Sequence, residues 1–132
     1  MISGIEFADR DRIIDLFRNG NFLCLIATNV LARGIDIPAV DIVINYDIPQ
    51  ISDSGYMEPD YANYLQRVGR TGRFGSDGIA ITLTKDEVET TMMNKIQKHY
   101  NNEIKQVSNL EEFFKDYQTM REYLYSEEKL GV

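Results

Sequence analysis

The chain has one cysteine, one histidine, three prolines and no tryptophan. A lone Cys24 excludes an intrachain disulfide, and its place inside the apolar run FLCLIAT, residues 22–28, reads as a small buried hydrophobe. No stretch approaches the ~18 consecutive apolar residues that a bilayer span requires. The first residues lack the basic-then-apolar order of a secretory signal, so the expected setting is intracellular. Internal repeats and low-complexity tracts are also absent. With 43% hydrophobic and 27% charged residues, the composition excludes disordered, collagen-like and mucin-like chains. A length of 132 residues allows one domain with a core, but is small for a complete α/β enzyme.

Positive charge is scarce: 14 lysines and arginines face 21 aspartates and glutamates, for a formal net charge of −7. That balance excludes a broad basic surface, so any contact with nucleic acid should be local. The cations are unevenly typed. Through Thr84 every one is an arginine (Arg10, Arg12, Arg18, Arg33, Arg67, Arg70, Arg73), and from Lys85 onward all but Arg121 are lysines. Arginine's planar fork suits bidentate contact with phosphate or carboxylate, whereas lysine on a helix surface is often a solvated point charge. The first part of the chain therefore suggests oxyanion binding.

Hydrophobic spacing switches repeatedly between helical and strand periods. DRDRIIDLFRNG, residues 9–20, sets Ile13, Ile14 and Phe17 at helical spacing, with Asp9 as N-cap and Gly20 as the stop. NFLCLIAT, residues 21–28, is a continuous apolar run that predicts a central strand covered on both faces. AVDIVINYD, residues 39–47, lies between Pro38 and Pro49 and predicts a second strand. YANYLQRVG, residues 61–69, returns to helical spacing through Tyr61, Tyr64, Leu65 and Val68, and GIAITLT, residues 78–84, predicts a third strand. KDEVETTMMNKIQKHY, residues 85–100, carries acids early and bases late, as the helix dipole favours, with Val88, Met92, Ile96 and Tyr100 at steps of four. Its His99 reads as a surface or capping group.

IKQV, residues 104–107, suggests an edge strand, and a closing helix at about 109–126 aligns Leu110, Phe113, Phe114, Tyr117, Met120 and Leu124 on one face. The glycine, proline and aspartate of PQISDSGYMEPD, residues 49–60, predict a sizeable surface loop. Strands alternating with helices imply crossover connections and an α/β fold, a doubly wound and mostly parallel sheet with helices on both faces. Three strong strands make a thin sheet, and the first helix follows Met1 almost at once. Residues 1–132 are therefore expected to form part of a larger domain.

Two stretches carry chemistry. In QRVGRTGRFG, residues 66–75, Arg67, Arg70 and Arg73 alternate with Gly69, Gly72 and Gly75. A helical pattern breaks there into a glycine-spaced loop, so Arg70 and Arg73 can point the same way and neutralise charge on a transferring phosphoryl group. A structural turn that pairs arginines with nearby aspartates fits the same residues. In ATNVLARGIDIP, residues 27–38, polar groups follow a strand at its carboxyl end, where open α/β sheets bind ligands. Thr28 can donate to a phosphate, Gly34 permits close backbone approach, and Asp36 can accept from a ribose hydroxyl. Taken one at a time, Asp36 reads rather as a turn residue and Thr28 as a helix cap.

In this order, and separated by DIVINYDIP, ATNVLARGIDIP resembles motif V and QRVGRTGRFG resembles motif VI of the second RecA-like lobe of DEAD-box RNA helicases. ISGIEFADRDRIIDLFRNG is similar to the family's glycine-then-arginine helix, and the likeness continues through GIAITLTKDEVETTMMNKIQKHYNNEIKQV, so it covers nearly the whole chain. The resemblance implies a RecA-like, doubly wound, mostly parallel sheet, truncated at its N-terminus, with the first strand and the motif IV region lying outside residues 1–132. It implies that Arg70 and Arg73 are fingers approaching the γ-phosphate of ATP, with Gly34 and Asp36 at the nucleotide. Magnesium would be held by the first lobe. Thr28 and Arg10, with Gly4 and Asn29 beside them, would hold RNA phosphates without sequence preference. Arg33, Gln66 and Arg67 would couple the lobes.

Gln66 stands where the family usually has histidine; its amide donates and accepts hydrogen bonds but does not titrate. Gly4 lies one residue closer to Arg10 than the family pattern. Within the family the long NYDIPQISDSGYMEPDYANYLQRVGR stretch is most similar to the branch serving mRNA export at the nuclear pore. That branch implies activator proteins of the pore as partners and a location in cytoplasm and nucleus. Two alternatives remain: a noncatalytic protein-interaction module with this lobe fold, and the second lobe of another helicase, such as a translation-initiation type. The phosphate loop G-x-x-x-x-G-K-S/T and the D-E-A-D stretch, both first-lobe features, are absent from the chain. The isolated chain should accordingly bind ATP weakly and show negligible ATPase activity; robust RNA-stimulated turnover by purified residues 1–132 would contradict this.

Overall fold

The computed structural model describes residues 7–29, 38–53, 55–72 and 77–129. It divides into two compact units, residues 1–101 and residues 102–132. The first unit begins with helix α1 (Phe7–Arg18), which buries Ile14 at 2% exposure. Asp9 lies inside its first turn and not at the cap, because the helix starts at Phe7, three residues before the start that an N-cap at Asp9 implies. Its end is as expected. Gly20 takes φ 77°, Gly20 N–H donates to Phe17 O (3.0 Å) and Asn21 N–H donates to Leu16 O (2.9 Å), which together close a Schellman turn.

The next stretch departs from expectation. Residues 21–28 form no strand; Phe22, Leu23 and Ile26 are 48%, 99% and 72% exposed, and Cys24 is exposed as well. A continuous apolar run fits a covered strand, but it does not specify the partner, and the described sheet supplies none at this edge.

Strand β1 (Ile42–Asn45) leads, through an intervening hairpin and helix, to strand β4 (Ile79–Thr82). The two pair in parallel with Ile42 opposite Ile79 and Asn45 opposite Thr82. This parallel pair with helices between and after its strands gives the α/β class expected from the sequence. The anticipated surface loop at 49–60 is instead a hairpin of β2 (Gln50–Asp53) and β3 (Tyr56–Pro59), paired antiparallel from Gln50–Pro59 to Asp53–Tyr56. Gly55 in the connection takes φ 83°, a left-handed conformation that glycine adopts without steric cost. The hairpin escaped notice because QISD and YMEP lack the apolar alternation that marks a strand with one buried face.

Helix α2 (Tyr61–Val68) starts on Asp60, whose Oδ1 accepts from Asn63 N–H at 3.0 Å, and it buries Tyr64. Helix α3 (Glu87–Tyr100) starts on Asp86, whose Oδ1 accepts from Glu89 N–H at 2.9 Å, and it ends at Asn101 with φ 49°. Glu89 turns back to accept from the Lys85 backbone N–H and from its ammonium, and the ammonium's hydrogen bond, with the charges of Glu89 and Asp86, raises the Lys85 pKa above the ordinary lysine value. Of the expected stripe on α3, Met92 (3%) and Ile96 (0%) are buried while Val88 is 58% exposed. The first turn of α3 thus projects beyond the core. Lys95 pairs with Glu58 of the hairpin, Tyr100 hydroxyl donates to Tyr61 O at 2.6 Å, and His99 stacks on the Tyr61 ring at 4.1 Å between centroids.

The second unit is dominated by helix α4 (Leu110–Lys129), capped by Asn109, whose Oδ1 accepts from the N–H groups of Glu111 and Glu112. Phe113 packs edge-on to Phe114 and parallel to Tyr117. No strand forms at 104–107, since IKQV has no neighbouring strand among the described residues on which to pair. Among the described residues no helix is long and apolar enough to cross a membrane.

Truncation of Ile96 removes a fully buried side chain and leaves a cavity, so Ile96→Ala should lower unfolding free energy by about 2–4 kcal/mol. Val88→Ala, on the same stripe but 58% exposed in the first turn, should cost less than about 1 kcal/mol. Urea denaturation of the two variants separates these outcomes.

Candidate functional site

Helix α2 runs back along β1. It begins beside the strand's carboxyl end, where Asp60 N–H donates to Pro49 O (2.8 Å), and finishes beside its start, where Val40 N–H donates to Arg70 O (2.9 Å). The arginines of QRVGRTGRFG are consequently divided between two places. Arg67 Nη1 donates to Asn45 Oδ1 (3.4 Å), Asp47 O (3.1 Å) and Asp47 Oδ1 (3.0 Å), and its Nη2 donates to Asn29 Oδ1. The Arg67 side chain is only 19% exposed, against 75% for Asp47. Behind it, Asn45 is 2% exposed and its Nδ2 donates to Thr82 Oγ1 at 3.2 Å. A polar seam thus crosses the carboxyl ends of both parallel strands.

Arg70 is placed differently. Its carbonyl is held by Val40 and its N–H donates to Arg67 O, while its half-buried guanidinium has no hydrogen-bond or ion-pair partner among the described residues. Thr71 hydroxyl donates to Asp41 O (2.7 Å), which also accepts from Ile79 N–H (2.9 Å). Gly72 then takes φ 67°. Against this turn lies Gly78, where an added Cβ would meet Thr71 Oγ1 at 2.0 Å and Gly72 N at 2.3 Å. The arginine turn is therefore clamped between the start of β1 and the entry to β4. A positive group on a turn fixed from both sides, with no counter-charge among the described residues, is suited to an incoming oxyanion.

Of the other expected site residues, Thr28 is exposed and adjoins Asn29, Arg10 sits partly exposed on α1, and Gln66 is exposed on α2. Gly4, Arg33, Gly34, Asp36 and Arg73 lie outside the described residues. Sequence reasoning missed Asn45, Asp47, Thr71, Gly78 and Thr82. One signal was present: IVIN ends an apolar strand on an amide that the fold buries. Among the described residues no group of three or more histidines, cysteines, aspartates or glutamates could hold a metal ion.

Residues 1–75 match the family described as the helicase conserved C-terminal domain. ATP-dependent RNA helicase dbp5 of Aspergillus clavatus is 49% identical over 109 residues, covering 81% of this chain and 22% of that protein. DBP5 of Candida glabrata is 48% identical over 98 residues, covering 74% of this chain and 19% of that protein. The chain thus spans about a fifth of the length of these curated relatives. Among solved structures, the C-terminal domain of the DEAD-box protein Dbp5 matches with a TM-score of 0.78 at 41% identity, over 89% of this chain and 65% of that one. S. cerevisiae Dbp5 bound to RNA and ADP BeF3 matches at 0.75 and 42% identity, over 87% and 29%. A variant S. cerevisiae Dbp5 C-terminal domain bound to a Gle1 variant and IP6 matches at 0.72 and 38% identity, over 89% and 65%.

The clamp on the arginine turn yields a direct test. Gly78→Ala forces a methyl group into backbone at Gly72, and the chain should lose about 1–3 kcal/mol of stability by overpacking. Chemical denaturation measures that loss, and an unchanged midpoint would show that the turn is free to move aside.

Proposed function

The chain belongs to the helicase conserved C-terminal domain family and has the fold of a RecA-like helicase C-terminal lobe, and from that membership we propose that it is the second lobe of a DEAD-box RNA-dependent ATPase acting in mRNA export. The observation that carries this reading is the division of labour between two arginines one helical turn apart. Arg67 is consumed within the lobe, whereas Arg70 faces no internal acceptor among the described residues. An arginine whose backbone turn is held in place and whose guanidinium has no partner among the described residues is available to meet the charge of a transferring phosphate.

ATP with magnesium supplies the phosphoryl group that passes to water. Arg70 and Arg73 contact its terminal phosphate, and Gly34 and Asp36 contact the nucleotide, Asp36 at the ribose. Thr28, Arg10, Asn29 and Gly4 hold RNA through its phosphates, which gives little sequence preference. Arg33 and Gln66 meet the first lobe on closure, and Arg67 contributes by fixing the inner wall on which that closure occurs. The magnesium ligands belong to the first lobe. Closure around both ligands aligns the fingers and bends the RNA, so that hydrolysis and RNA release are linked.

The solved relatives bound to RNA with ADP BeF3 and to Gle1 with IP6 support RNA and a nuclear-pore activator as partners, with the protein working in cytoplasm and nucleus and at the pore. In the complete protein, Arg70→Ala and Arg73→Ala should each reduce turnover by on the order of 10²–10³. RNA affinity should change by less than about threefold, the split expected of groups that act on the transition state. Steady-state ATPase assays with parallel RNA titrations read both quantities. Equal losses in both would assign the arginines to structure.

A further inference from the structure

Asn45 is the least expected residue of the polar seam. Its strand is otherwise Ile-Val-Ile, and the residue is 2% exposed, so a carboxamide there gives up its water and must recover both hydrogen bonds from the protein. It does. Arginine carries only donors, so the Asn45 oxygen must face Arg67 and the Asn45 nitrogen must donate to Thr82, as the structure has it. Donation in the seam therefore runs outward from Arg67 on α2, through Asn45 on β1 to Thr82 on β4 on one side and to Asn29 beside Thr28 on the other.

An aliphatic side chain would fill the Asn45 position without desolvating an amide. We propose that Asn45, backed by Thr82, is a positioning residue for RNA: it fixes the Arg67 guanidinium, which in turn holds Asn29 and the adjoining Thr28 in place for an RNA phosphate. The inference rests on reading the chain as an RNA-binding helicase lobe. Asp47 is a weaker anchor for this purpose, because its carboxylate is 75% exposed and its hold on Arg67 is screened by water. Asn45 is buried and cannot be displaced without moving the strand pair. Its effect on RNA travels only through Arg67 and Asn29.

The test is a double-mutant cycle in the complete protein, with binding of a fluorescent oligouridylate measured by anisotropy in the presence of ADP and beryllium fluoride. Asn45→Leu and Asn29→Ala should each weaken binding by about 5–10-fold. Together they should weaken it no more than about twofold beyond Asn29→Ala alone, since both remove one route. Asn45→Asp keeps an acceptor facing Arg67 and should restore affinity to within about threefold of wild type. The KM for ATP should move by less than about twofold in all of them. If Asn45→Leu does not fold, Thr82→Val, which removes the acceptor behind Asn45, carries the same cycle with a smaller single effect. Losses that multiply, or a KM for ATP that rises as far as the RNA dissociation constant, would overturn the positioning role. A wild-type protein that binds no oligouridylate would overturn the functional reading, and this inference with it.

Discussion

One guanidinium joins parts of the chain that are distant in sequence. Arg67 on α2 reaches Asn29, Asn45 and Asp47 together, so a single side chain sets the spacing between the segment after α1, the end of β1 and the helix that precedes the arginine turn. Arginine is suited to this because its planar fork presents several donors in fixed directions, and lysine would offer a point charge without that geometry. Among the described residues Arg67 is placed against oxygen acceptors and Arg70 stands on a fixed turn, whereas Lys115 forms an exposed pair with Glu111.

The second constraint is close backbone packing. Thr71, Asp41 and Ile79 share one carbonyl, and Gly78 lets the arginine turn lie directly on the entry to β4. Rigidity follows from geometry here, because the turn is hydrogen-bonded on one side and in steric contact on the other. A net charge of −7 makes the placement matter more: with acids in excess overall, an arginine with no counter-charge among the described residues is a local exception.

Much of this was legible in the sequence. The helices at α1, α2, α3 and α4 announce themselves by apolar spacing and by caps such as Gly20, and β1 and β4 by Ile and Val between turn residues. The two motifs pointed to a helicase lobe. What was not legible depends on partners far along the chain. FLCLIAT reads as buried because it is apolar, yet burial is decided by what lies across from it, and the described residues put nothing there. The β2–β3 hairpin is held by register and by Gly55, features that leave no period in QISDSGYMEP. AVDIVINYD predicts a strand without singling out Asn45; only the return of α2 along β1 shows that Arg67 meets it.

The account stands on the separation of Arg67 from Arg70, and a crystal structure of the complete protein with RNA, ADP and beryllium fluoride would examine it most directly. The prediction is an Arg70 guanidinium within hydrogen-bonding distance of the fluoride while Arg67 stays on Asn45 and Asp47. An Arg67 that has left Asn45 for the nucleotide, or an Arg70 paired with a carboxylate of its own lobe, would contradict it.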